Sequence, residues 1–146
     1  MITNLLSESL AVAGVIHAVS QAAGTVVTAA IDLSKFGQLL VIVDCGTAGS
    51  SATVTASLTG SATVGGSYVA IGSSSATALA ASANIALMAI RVDQLVAANP
   101  TVAFIKVSVA VGVATSVIGV IVLGADGNYE PMSQNNVADV VSTFII

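Results

Sequence analysis

Between Thr53 and Thr59 apolar and hydroxyl-bearing residues alternate without a break: Val54, Ala56 and Leu58 stand against Thr53, Thr55, Ser57 and Thr59. A period of two marks a strand with one face in a core and the other wet. Val107, Val109, Val111 and Val113 repeat the pattern against Ser108, Ala110 and Gly112, and residues 117–123 resume it after Ala114-Thr115-Ser116. That spacing predicts two strands and a tight connection. Residues 37–44 read differently, because Leu39-Leu40-Val41-Ile42-Val43 is apolar at both parities. Such a run predicts a strand buried on both faces, in the middle of a sheet or under an interface.

Turn residues divide the remainder. Further strands are predicted around residues 25–32, around 67–71 after Gly65-Gly66, and over 85–92. The stretch 72–84, rich in Ser and Ala, reads as a long loop or a weak edge strand. Asn99-Pro100 and Asp126-Gly127 are turn signals, since Pro fixes φ and Gly permits positive φ. About seven to nine short strands at regular spacing predict an all-β fold, an antiparallel β-sandwich or jelly roll. It would occupy residues 24–126, with an amino-terminal arm or short helix over 1–23 and a carboxyl tail over 127–146. In the first segment Leu5, Leu6, Leu10, Val15, Ile16 and Val19 fit neither period, so a helix capped by Asn4 and an extended arm both stay open. The tail closes on Phe144-Ile145-Ile146, too apolar to sit free in water, and is expected to dock on the domain or on a partner.

Composition sharpens this. Only three of the 146 residues are Lys or Arg (Lys35, Arg91 and Lys106), against seven Asp or Glu, for a net charge of −4. A nucleic-acid binder that neutralises roughly 6–10 phosphates needs about that many cations, which argues against DNA or RNA as partner. With 55% hydrophobic residues and 7% charged ones, the chain is also the reverse of a disordered composition. Its mean hydropathy of +1.01 raises the question of a membrane. Residues 107–125 carry no charge over a length of bilayer scale, but their period of two is a strand signal. No Lys/Arg cluster or Trp/Tyr belt flanks the uncharged runs, and the amino terminus lacks the basic region of a secretory signal. No membrane partner is expected. One cysteine, Cys45, makes no intrachain disulfide.

Candidate chemistry is sparse. His17 lies in an apolar stretch with no acidic or serine partner identifiable by spacing, and reads as a surface or packed histidine. Cys45 follows Asp44, whose charge disfavours a thiolate, so an inert buried thiol is expected. Asp126-Gly127-Asn128-Tyr129-Glu130 resembles the start of a calcium loop, but the positions requiring Gly and Glu hold Pro131 and Val137. Phosphate-loop, nucleophile-elbow and zinc-helix motifs are missing from the sequence. No catalytic, cofactor-binding or metal-ligating residue is therefore expected, and an enzyme is disfavoured.

Taken in order, Ala23-Gly24-Thr25-Val26-Val27-Thr28-Ala29-Ala30-Ile31-Asp32-Leu33-Ser34-Lys35-Phe36-Gly37, the strand at residues 39–43 and the alternating strand at 53–59 resemble small β-sandwich proteins of tailed bacteriophages. Phe104-Ile105-Lys106-Val107-Ser108-Val109 and the closing Val120-Ile121-Val122-Leu123-Gly124 extend the resemblance over residues 23–126. The chain departs from that pattern where residues 60–67 lack the charged, Asp-rich loop, and where the tail after Asp126 is longer. The family consists of head-decoration or capsid cement proteins. The resemblance implies a non-enzymatic virion structural protein on the capsid outer surface, assembled in the host cytoplasm. It would bind between major capsid protein subunits and to itself as a homo-oligomer, a trimer first of all, without cofactors. On that reading Leu5, Leu6, Leu10, Val140, Val141, Phe144, Ile145 and Ile146 are the expected contacts with capsid or neighbour, with Phe144 as anchor. The competing expectation for the tail is that it folds back on its own sandwich. Two other functions fit the same chain less well: a viral fibre or host-attachment module, and a membrane or envelope protein.

Overall fold

Alternation decides which side chains face inward. In β5 (Thr53–Ser61) Val54, Ala56 and Leu58 are buried and the hydroxyl-bearing residues between them face out. The computed structural model describes residues 6–71, 77–80, 84–127 and 131–142, with the backbone alone for 77–80. A single turn of helix, α1 (Leu6–Ser9), leads into β1 (Leu10–Gln21), β2 (Gly24–Val27) and β3 (Ile31–Asp32). A 3-10 turn at Leu33–Lys35 precedes β4 (Gln38–Ala48) and β5. Two short strands follow, β6 (Val69–Ala70) and β7 (Thr77–Ala80), then β8 (Asn84–Arg91), α2 (Val92–Ala98), β9 (Phe104–Gly112) and β10 (Ser116–Ala125). A second 3-10 turn, Met132–Asn135, carries the tail.

One sheet has the order β1-β10-β4-β8; the other runs β2-β9-β5-β6, with β3 also on β9 and β7 also on β5. Every pairing among the described residues is antiparallel. Because β2 and β3 share one flank of β9, and β6 and β7 one flank of β5, each pair is a single broken strand. Counted so, the sheets interleave as 1-8-3-6 over 2-7-4-5, which is the double-sheet jelly roll. The expectation of an antiparallel β-sandwich or jelly roll holds.

The stretch that fitted neither period is extended from Leu10 onward, along the edge of the first sheet. Its pairing with β10 shifts register between Val12 and Gly14 and again between Ile16 and Val19, which is why no single period runs through it. The predicted strand at 25–32 breaks at Thr28, whose N–H donates to the Val107 carbonyl at 3.0 Å while its Oγ1 accepts from the Val107 N–H at 3.0 Å. Residues 77–80 take the edge-strand option foreseen for 72–84.

The core is a single cluster drawn from both sheets: Val41, Val43, Val120 and Val122 from one, Val54, Ile105, Val107 and Val109 from the other. Phe36 packs on Gly124, where an added Cβ would stand 2.2 Å from the ring. The two strands expected on either side of Ala114-Thr115-Ser116 both form, yet β9 and β10 belong to different sheets and do not pair. Val113 makes the crossing at φ 66, with the Ala114 N–H donating to the Gly112 carbonyl at 2.8 Å, a three-residue γ-turn. A β-branched residue is strained there.

Two measurements check this account. Replacing Val113 with Gly, which has no Cβ to strain at positive φ, is expected to raise unfolding stability by about 1 kcal/mol. Ile118→Ala, within the core, is expected to cost about 2–5 kcal/mol. Ile121→Ser on the same strand, pointing out, should cost under about 1 kcal/mol; urea titrations of dilute protein that gave the two equal losses would contradict the assigned faces.

Candidate functional site

Two regions stand out, and the first is where the termini meet. Leu6, Leu10 and Val140 converge with Leu123 and Asn136 around a groove of about 270 Å³. The chain arrives there because β1 is an edge strand with free backbone groups. The Val12 N–H donates to Asn136 Oδ1 at 2.7 Å, and the Val137 N–H donates to the Val12 carbonyl at 2.9 Å. Met132, buried, anchors the turn ahead of these bonds. Asp139 of the tail lies 3.9 Å from His17 Nε2, with both side chains largely in solvent.

Of the expected contact residues, Leu6, Leu10 and Val140 are thus brought together. Leu6 remains 73% exposed and Val141 92%, so the apolar surface they offer is mostly open. Leu5, Phe144, Ile145 and Ile146 lie outside the described residues.

The second region, not foreseen as a site, is the outer face of the β1-β10-β4-β8 sheet. Registers place Leu10, Ala125, Gln38 and Arg91 in one row across it. The next row is Val12, Leu123, Leu40 and Ala89; the third is Val15, Ile121, Ile42 and Leu87. A fourth holds Gly119, Asp44 and Ile85. Leu40 is 36% exposed, Ile121 46%, Leu87 64% and Ile85 65%. The opposite sheet turns Thr55, Ser57, Thr59, Lys106 and Ser108 outward, an ordinary wet face, where Lys106 Nζ sits 4.1 Å above the Tyr68 ring. Among the described residues nothing covers both faces of residues 39–43: Leu39, Val41 and Val43 are buried, while Leu40 and Ile42 stand on the outer face. The signal for this region was the apolar run at both parities.

Classical site chemistry gathers elsewhere and is mostly spent internally. An open cleft of about 900 Å³ at one end of the sandwich is bordered by Asp32, Asp93, Asp126 and Arg91. Asp32 accepts from the Ser34 N–H at 3.0 Å, Asp126 accepts from Gln38, and Arg91 forms a two-pronged ion pair with Asp93. The hydrogen bonds from the Arg91 side chain come first in holding the Asp93 carboxyl below its ordinary value. Burial, reinforced by Asp44, pushes the Cys45 thiol above its ordinary value, in keeping with an inert thiol. Among the described residues no group of three or more His, Cys, Asp or Glu could hold a metal ion, and no helix is long and apolar enough to cross a membrane.

No family model matches the chain, and no curated protein matches it. Chains from the structures of infectious bursal disease virus Gx strain and Gt strain align with it at a TM-score of 0.45 each, with 14% and 13% identity. Each alignment covers 85% of this chain and 34% or 33% of the other, so the chain spans about a third of their length.

The tether between tail and sheet edge is open to direct measurement. Asn136→Ala removes the acceptor for the Val12 N–H and is expected to cost about 1 kcal/mol. Amide exchange at Val12 should accelerate while the core amides of β4 keep their protection; unchanged exchange at Val12 would mean the bond does not hold the tail.

Proposed function

We propose that this chain is a non-enzymatic virion structural protein that decorates the outside of a bacteriophage capsid and stabilises it by binding between major capsid protein subunits. The observation that carries the reading is a jelly roll with apolar contact surface in two places, the groove of Leu6, Leu10 and Val140 and the outer face of one sheet. Jelly rolls occur in viral capsid domains, though also in lectins and cupins, so the layout is an analogy and the surfaces bear the weight. Few charges must be desolvated when surfaces of this kind are covered, which suits a role whose end state is assembled. Copies repeated over a lattice act together, so each contact needs only modest affinity. The ordered elements of residues 23–126 that resemble head-decoration proteins give the reading its viral setting. On this proposal the protein sits on the virion exterior after assembly in the host cytoplasm, with the major capsid protein and further copies of itself as partners.

Cosedimentation with expanded phage capsids that lack a decoration protein tests the proposal. Saturable binding and a raised capsid disruption temperature are expected. Leu6→Lys combined with Val141→Lys should weaken the binding if the joined termini form the contact. Failure of the unaltered chain to bind would overturn the decoration reading, and retention of a specific cell-surface ligand instead would favour the attachment module.

A further inference from the structure

We infer that the outer face of the β1-β10-β4-β8 sheet is covered by the same face of a second copy of this chain, the two packed with their strands antiparallel about a two-fold axis. The inference rests in part on the structural role proposed above and concerns a contact of copy to copy, on a face that shares Leu10 and Leu123 with the terminal groove at one edge.

Size is the first support. Four strands about 4.8 Å apart, spanned by four rows about 6.8 Å apart, present on the order of 500 Å² once side-chain radii are included. That footprint, polar ends included, is on the scale of the roughly 300–600 Å² of the largest apolar patch on a monomer, and two such faces together come to about 1,000 Å², the minimum for a specific interface.

Shape is the second. Ile121, Ile42 and Leu87 form a ridge across the sheet. On one side of it, small residues Ala89 and Ala125 leave a hollow of about 330 Å³ next to Leu40 and Arg91. On the other side Gly119 leaves a notch of about 220 Å³ between His17 and Asp44. A two-fold axis lying across the strands, between the ridge and the row of Leu40 and Ala89, sets the Leu87 end of each ridge into the partner's hollow, while Ile42 and Ile121 meet the partner's Leu40 and the partner's Leu123. Leu87 then stands over Ala89 of the other copy.

Charge is the third. Among these rows Arg91 and Asp44 are the charged residues, at opposite ends of the face and of opposite sign. The same axis brings the row of Gln38 and Arg91 over the partner's row of Asp44 and Ile85, so each Arg91 lies beside the other copy's Asp44. The guanidinium has five donors and keeps Asp93 while reaching across. Two-fold packing meets both requirements at once, and it departs from the trimer that the resemblance implies.

Sedimentation equilibrium of the full chain, without capsids, reads the result. A dimer mass is expected, and Leu87→Lys should give a monomer with unchanged circular dichroism and thermal unfolding measured below the dissociation constant. Asp44→Lys and Arg91→Asp should each weaken the dimer at least about tenfold, through like charges set face to face, and the double swap should restore it. A trimer mass, a monomer at all concentrations, or a swap without rescue would each overturn the arrangement. A monomer that binds capsids and loses that binding on Leu87→Lys would assign the face to the capsid, leaving the decoration reading intact. A dimer that binds no capsid would do the reverse.

Discussion

Alternate β-branched side chains buried between two sheets are the constraint on which the rest of the structure depends. Val41, Val43, Val107, Val109, Val120 and Val122 are each at most 1% exposed, and among the described residues no large aromatic shares the centre with them. Such a core is thin and tightly tiled, since small rigid residues fill the space between sheets with few rotamers to lose. Register is then fixed strongly, because a slip of one residue would move the whole apolar set of a strand to the outside. Phe36 over Gly124 is the exception at the rim, where a missing Cβ makes room for a ring that closes one end of the sandwich.

That tiling makes the two outer faces the more informative part of the molecule. A jelly roll whose sheets both met water would carry hydroxyls and charges on both, as β5 and β9 do. The other sheet instead repeats its core chemistry on the outside, with Ile121, Ile42 and Leu87 in register across three strands. Solvent gains nothing from that arrangement. It is the physical form of a low charge count: with so few charged side chains available, one sheet is dressed for water and the other is left apolar.

The sequence made the strands legible wherever a strict period or an unbroken apolar run existed, as at 53–59 and 39–43. The latter run is a central strand of its sheet, as its length and apolarity imply, but the run does not disclose that Leu40 and Ile42 stand on an outer face. What it could not disclose was non-local. Val12 and Asn136 are 124 positions apart, and nothing near either residue announces the other. Nor does a valine announce a positive φ, so the crossing at Val113 looked like a simple connection between partners. The short helix α2 has no local signal either, because its seven residues are bounded by strand-like residues on one side and by Asn99-Pro100 on the other. Of the contact residues, Leu6, Leu10 and Val140 were named from apolarity at the ends alone; that they share one groove is a product of the sheet edge, which local patterning does not describe.

The tail bonded along β1 also governs how the molecule can fail. An edge strand with its amides and carbonyls free is a template on which further strands stack without limit. Here the chain occupies part of its own template with Asn136 and Val137, which hold both backbone groups of Val12 and so hinder strand addition at that end of the edge. Loss of the residues beyond Met132, which stays in the core, would free both backbone groups of Val12 and lengthen the open stretch of this edge.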